Sequence, residues 1–81
     1  MITVYSKPAC VQCKATIRYL DKLDADYTVI DITADDDARS HVMDDLGYTQ
    51  APVVETASDH WSGYRPERLA AAAYAEGYHH D

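Results

Sequence analysis

The sequence predicts an α/β domain in the order β-α-β-α-β-β-α, a mixed four-stranded sheet carrying helices on both faces. Three observations predict it. Runs of β-formers alternate with stretches of helical periodicity, each such stretch is long enough to be a crossover, and the last two runs are joined by a hairpin-sized turn. The two crossovers are expected to set the first strands parallel, and the hairpin to add an antiparallel edge.

Met1–Tyr5 alternates apolar and polar side chains, with Ile2 and Val4 on one face, and reads as the first strand. Ser6-Lys7-Pro8-Ala9 breaks it. From Val11 to about Asp24, Cys13, Ile17, Leu20 and Leu23 recur at helical spacing while Lys14, Arg18, Asp21 and Lys22 take the other face, so an amphipathic helix is expected. Tyr27–Ile32 is the second strand, with Ile30 and Ile32 on one face. Thr33 is the expected N-cap of a second helix, and Asp35, Asp36 and Asp37 complement its dipole. Ala38, Val42, Met43 and Leu46 form its apolar stripe, and Gly47 supplies a left-handed end. Pro52–Thr56 is the third strand, Ala57-Ser58-Asp59 a turn, and His60-Trp61-Ser62 the fourth strand. Pro66 opens a last helix that runs from Glu67 to Glu76 and closes at Gly77.

Eighty-one residues allow one small domain, spanning 1–81, and no second one. Apolar residues make up 47% of the chain, enough for a core, with tyrosine in place of the missing phenylalanine. The net charge of −7 argues against nucleic acid as a partner. Its distribution is uneven: Lys7, Lys14, Arg18 and Lys22 gather near the N-terminus, while residues 24–45 carry eight aspartates against Arg39. The longest apolar run, Leu69–Ala75, is far short of the roughly 20 residues that span a bilayer. The N-terminus lacks the pattern of a secretion signal, so a soluble, cytoplasmic monomer is expected.

The two cysteines, Cys10 and Cys13, stand three apart. A bond between them would close almost no loop and so add little stability, which points to chemistry or metal and not to a staple. They sit where the first strand gives way to the first helix. Free N–H groups and the positive dipole end there favour an anion, so a thiolate forms at lower pH than in water. Cys10, at the helix cap and the more exposed of the two, is the expected nucleophile. Cys13, on the inner stripe, is expected to resolve a mixed disulfide, and Lys7 and Lys14 to add positive potential. Zinc would need two more ligands. His60, His79 and His80 are available, yet no second CxxC or HxxxH accompanies them, and no metal is expected. A pair of inert core cysteines fits poorly with Cys10 at a loop-to-helix junction.

Three segments together, KPACVQC at the N-terminus, QAPVV at Gln50–Val54 and WSGYRP at Trp61–Pro66, resemble the NrdH-redoxins, small glutaredoxin-like proteins with thioredoxin-like activity. The resemblance covers Ile2 to about Leu69. It implies a thioredoxin-like fold of the glutaredoxin type. No bound cofactor is implied beyond a redox-active Cys10–Cys13 disulfide. The implied reductant is thioredoxin reductase with NADPH, and the implied client is class Ib ribonucleotide reductase, through its large subunit. Pro52 matches a proline held cis beside the dithiol, which would turn Ala51 toward an extended client segment.

Trp61, Ser62, Gly63, Tyr64 and Arg65 match the segment that replaces the glutathione-gripping end of related proteins, so they are expected to face substrate and to disfavour glutathione. Tyr64 departs from the phenylalanine common in that family and must place a hydroxyl. Asp59 and His60 serve either turn chemistry or a partner contact. A glutathione-dependent glutaredoxin, and a redox-sensing binding module of the same fold, remain the alternatives.

Overall fold

The structure, a computed structural model, describes residues 1–77. Its sheet has the order β2-β1-β3-β4, from β1 (Ile2–Ser6), β2 (Tyr27–Asp31), β3 (Val53–Glu55) and β4 (His60–Ser62). Three helices accompany it. α1 spans Val11–Lys22, α2 spans Asp36–Ser40 and continues as a π-helical segment over His41–Asp45, and α3 spans Pro66–Ala72 and continues likewise over Ala73–Gly77. The π-helical ends were not expected. In the first of them the Leu46 N–H donates to the His41 carbonyl, one residue further back than an α-helix allows. His79 and His80 lie outside the described residues.

β1 and β2 pair in parallel and β3 and β4 antiparallel, as expected. β3, however, runs antiparallel to β1, with Val4 opposite Val54. The physical reason lies in residues 46–52. Gly47, at φ +80, turns the chain out of the π-helical segment. Tyr48 then hydrogen-bonds His60, and the Gln50 carbonyl accepts from the Ser62 hydroxyl. The chain thus returns along β4 to the end of the sheet from which β2 left, and a strand starting there must oppose β1.

Alternation along the strands sorts the core onto two faces. Ile2, Val4, Val54 and Trp61 pack with Leu20, Leu69 and Ala73 beneath α1 and α3. Tyr5, Val53 and Val42 pack on the other face, against α2, with Ile30, Ile32, Ala38 and Leu46 around them. Met43, expected in the α2 stripe, is exposed, because Val42 takes the inward position. Thr33 does not cap α2: its N–H and hydroxyl both donate to the Asp31 carboxylate, and Asp35 caps instead by accepting from the Ala38 N–H. Past the last residue of α1, Lys22, and its C-cap Leu23, Asp24 turns the chain at φ +57, and the Ala25 N–H reaches back to the Leu20 carbonyl. Asp59 and His60 serve turn chemistry: the Asp59 carbonyl accepts from the Thr56 N–H and hydroxyl, and the Asp59 carboxylate accepts from the His60 N–H.

One polar cluster ties α2 to the sheet. Both His41 nitrogens face carboxylates, Nδ1 at 2.9 Å from Asp45 and Nε2 at 2.9 Å from Glu55, and Glu55 also accepts from the Tyr5 hydroxyl. Burial and the Glu55 hydrogen bond push the Tyr5 hydroxyl up to about 12. The hydrogen bonds to Asp45 and Glu55 raise His41 above its ordinary value of 6.5. A proton held more tightly in the folded chain stabilises it fully below about pH 6.5, and that stabilisation is lost as pH rises through the elevated folded value. The Tm gap between wild type and His41→Gln is therefore expected to be widest at about pH 6 and to narrow toward about pH 9. Thermal melts by circular dichroism check this, and a gap that widened with pH would contradict it.

Candidate active site

Ser6 ends β1, and Lys7-Pro8-Ala9 carries the chain to α1, with Ala9 in the left-handed region at φ +57. Cys10 is the N-cap of α1, in extended conformation, and its Sγ accepts from the Cys13 N–H at 3.2 Å. The cap position normally taken by serine or aspartate oxygen is held here by sulfur. Cys10 and Cys13 are joined as a disulfide, their Cα atoms 5.2 Å apart. Cys10 is more exposed than Cys13, at 8% against 2%, yet both are largely buried in this oxidised form.

Other segments close around the pair. Ala51 precedes Pro52 across a cis peptide bond, and its carbonyl oxygen lies 3.9 Å from Cys10 Sγ, a contact that only the reduced thiol could turn into a hydrogen bond. Pro52 is fully buried. Its carbonyl accepts from the Gly63 N–H at 2.8 Å, and Gly63 turns the chain at φ +90. The Tyr64 N–H donates to Gln12 Oε1 at 3.1 Å, and the Arg65 side chain donates from Nε to the Ser62 carbonyl. Cys10, Cys13, Ala51, Pro52, Ser62, Gly63, Tyr64 and Arg65 therefore form one locus, linked mainly by backbone groups.

Trp61 does not join it. The indole is 3% exposed, packs in the core under α3, and carries the Arg68 guanidinium 5.4 Å above its ring. A side chain so placed cannot face a substrate, because period-two alternation points it away from Ser62's side of the strand. Lys7 and Lys14 are exposed, and neither side chain makes a hydrogen bond or ion pair among the described residues. Gln12 is the residue that sequence reasoning missed. Its position between the cysteines is legible, but its bond to Tyr64 joins residues 52 apart and leaves no local signal.

Among the described residues, no group of three or more His, Cys, Asp or Glu is placed to hold a metal ion. No helix there is long and apolar enough to cross a membrane.

This geometry has counterparts. The glutaredoxin family model matches residues 2–61. The glutaredoxin-like protein NrdH of Lactococcus lactis subsp. cremoris is 34% identical over 73 residues, covering 90% of this chain and 100% of that one. The chain belongs to the glutaredoxin family, on its NrdH-redoxin branch. The gene 56 protein of Mycobacterium phage D29 is 34% identical over 71 residues, 84% of this chain and 77% of that one. Among solved structures, the NrdH-redoxin of Escherichia coli superposes with a TM-score of 0.82 at 33% identity, covering 86% of this chain and 91% of that one. That protein's structure is described as the basis of a thioredoxin-like activity profile. Like other NrdH-redoxins, the chain is a thiol–disulfide oxidoreductase with a CxxC pair. The Cys10–Cys13 bond is then the oxidised half of such a couple, and two electrons and two protons convert it to the dithiol.

Proposed function

We propose that the chain is a protein dithiol donor, a cytoplasmic monomer acting as one domain, that carries electrons from NADPH and thioredoxin reductase to class Ib ribonucleotide reductase. The observation that carries this reading is the Cys10 sulfur at the N-terminus of a 12-residue helix, accepting the Cys13 N–H. Reduction frees that sulfur as a thiolate, which the N–H group and the helix dipole stabilise.

The cycle follows from the two positions. The Cys10 thiolate attacks one sulfur of a client disulfide, forming a mixed disulfide and releasing the other client sulfur, which takes up a proton. Cys13, deprotonated in turn, attacks Cys10 Sγ, re-forming the intramolecular disulfide and releasing the second client thiol. The client leaves reduced by two electrons. The reductase dithiol then reverses the change, with NADPH as the source. Ala51, beside Cys10, offers backbone groups to an extended client segment, which pairs like an added strand.

The preference for a protein reductant over glutathione rests on the 62–65 segment. The Gln12–Tyr64 and Pro52–Gly63 hydrogen bonds draw this segment against the dithiol turn. Arg65 occupies the N-cap of α3, and its side chain makes no cap bond there. These bonds fix the backbone that leads into the α3 N-terminus, which in this reading disfavours glutathione.

The test compares two reductant systems with insulin as the disulfide. Turnover with NADPH and thioredoxin reductase is expected, with little from glutathione and glutathione reductase. The reverse result would assign the chain to the glutathione-dependent glutaredoxins.

A further inference from the structure

α1 carries a ridge of cations that the fold leaves unpaired. Lys14, Arg18 and Lys22 stand four residues apart on one exposed line, and none has an ion-pair partner among the described residues. Like charges at that spacing repel along a helix, so they weaken α1 when nothing opposes them. The carboxylate of α1, Asp21, is engaged instead by the Tyr27 hydroxyl on β2. This occurs in a chain of net charge −7, where carboxylates to pair with are plentiful elsewhere.

Beside the ridge runs a groove of about 160 Å³, lined by Ala15, Arg18, Tyr19, Lys22 and Tyr64. Its walls are aromatic at one side, with the Tyr19 and Tyr64 rings edge to face at 6.2 Å, and cationic at the other. The groove is joined to the dithiol twice. Tyr64 is held by Gln12, which lies between the cysteines, and α1 begins at Val11, a side chain 82% exposed. From Val11 to Lys22 the helix rises about 16 Å, the span of about five residues of extended chain.

We propose that this groove docks an acidic, extended segment of the disulfide-bearing client, lying next to the client cysteine that Cys10 attacks. The proposal rests on the reading of the chain as a protein-disulfide reductant. Charge complementarity names the occupant: Arg18 and Lys22 pair with Glu or Asp side chains, and the two tyrosines cover the apolar stems between them. A peptide is favoured over nucleic acid because the cationic ridge is short and the rest of the molecule, α2 above all, repels polyanions. The same contrast orients the client, attracted at the dithiol end and repelled from the far helix.

The probe is a fluorescently labelled, cysteine-free, glutamate-rich peptide, titrated with the full-length protein at low salt, with a glutamine-for-glutamate peptide as control. The glutamate peptide is expected to bind, to shift the amide resonances of Ala15, Tyr19 and Tyr64, and to weaken as salt shortens the Debye length from about 10 Å at 0.1 M. Arg18→Glu with Lys22→Glu is expected to weaken it about tenfold or more, and Arg18→Gln with Lys22→Gln by a smaller factor. Arg39→Glu, the same kind of charge reversal on α2, is expected to bind as wild type does. Equal binding of the glutamine peptide, an equal loss in Arg39→Glu, or no binding at all overturns the proposal. So does displacement by a single-stranded oligonucleotide at a lower concentration than by unlabelled peptide, which marks a general polyanion face. Insulin reduction by wild-type protein with dithiothreitol tests the reductant reading by itself, so a protein that reduces insulin and ignores the peptide loses only the groove.

Discussion

Cys10→Ser is expected to abolish disulfide exchange, leaving the rate of the buffer control, while Cys13→Ser is expected to accumulate a mixed disulfide with the client. The asymmetry follows from position. Cys10 caps α1, so its sulfur is the one that accepts an N–H and sits at the positive end of the helix dipole. Cys13 is inside the first turn at 2% exposure, where a client sulfur cannot approach but the neighbouring Cys10 sulfur already lies in bonding contact. Serine at 10 lacks a nucleophile that ionises near neutral pH. Serine at 13 leaves attack intact and removes only the resolving step. Turbidity of reduced insulin and mass spectrometry of the trapped adduct report the two outcomes. Equal residual activity in both variants, or an adduct on Cys13 in Cys10→Ser, would reverse the assignment.

Trp61→Ala is expected to cost about 3–5 kcal/mol, and Trp61→Phe about 1–2 kcal/mol. The first figure is a large part of the total stability of a domain this small, about 5 kcal/mol at the lower end for folded domains. The indole fills the space between Ile2, Val4, Val54, Leu20 and Leu69, and alanine leaves that space to a cavity the surrounding strands cannot close. The Nε1–H has no hydrogen-bond partner among the described residues, so phenylalanine orphans nothing there and keeps most of the ring packing. Urea melts measure both. If Trp61 instead faced substrate, Trp61→Ala would keep its midpoint and raise KM, and that pattern would return the residue to the site.

Some of the molecule was legible because the signals are local. The period-two runs, the helical stripe of Cys13, Leu20 and Leu23, the left-handed Gly47 and the proline opening α3 all act within a few residues, and each is in place. The cap of α2 lies at Asp35, two residues beyond the expected Thr33, because Asp31 competes for Thr33 and the presence of a cap-forming residue does not show which bond wins. The local pattern predicts a parallel β3, since a helix between two strands ordinarily returns the chain to its starting end, whereas β3 runs antiparallel to β1. Here residues 46–52 supply a second return, and nothing in their composition distinguishes it from a plain loop.

The sequence by itself pointed to the chemistry: two thiols separated by two residues at a strand-to-helix junction have few uses, and helix electrostatics favours Cys10 as the one that attacks. Tertiary structure decided the surroundings. That Gln12 grips the Tyr64 N–H, that Ala51 lies beside Cys10, that Trp61 turns inward while Ser62 turns out, and that three cations of α1 find no ion-pair partner among the described residues all depend on segments far apart in sequence. Helix dipoles and caps act over a turn, and the chain spells them locally. Contacts between distant segments depend on which sheet edge and which face each one reaches, and that is fixed only when the strands have chosen their directions.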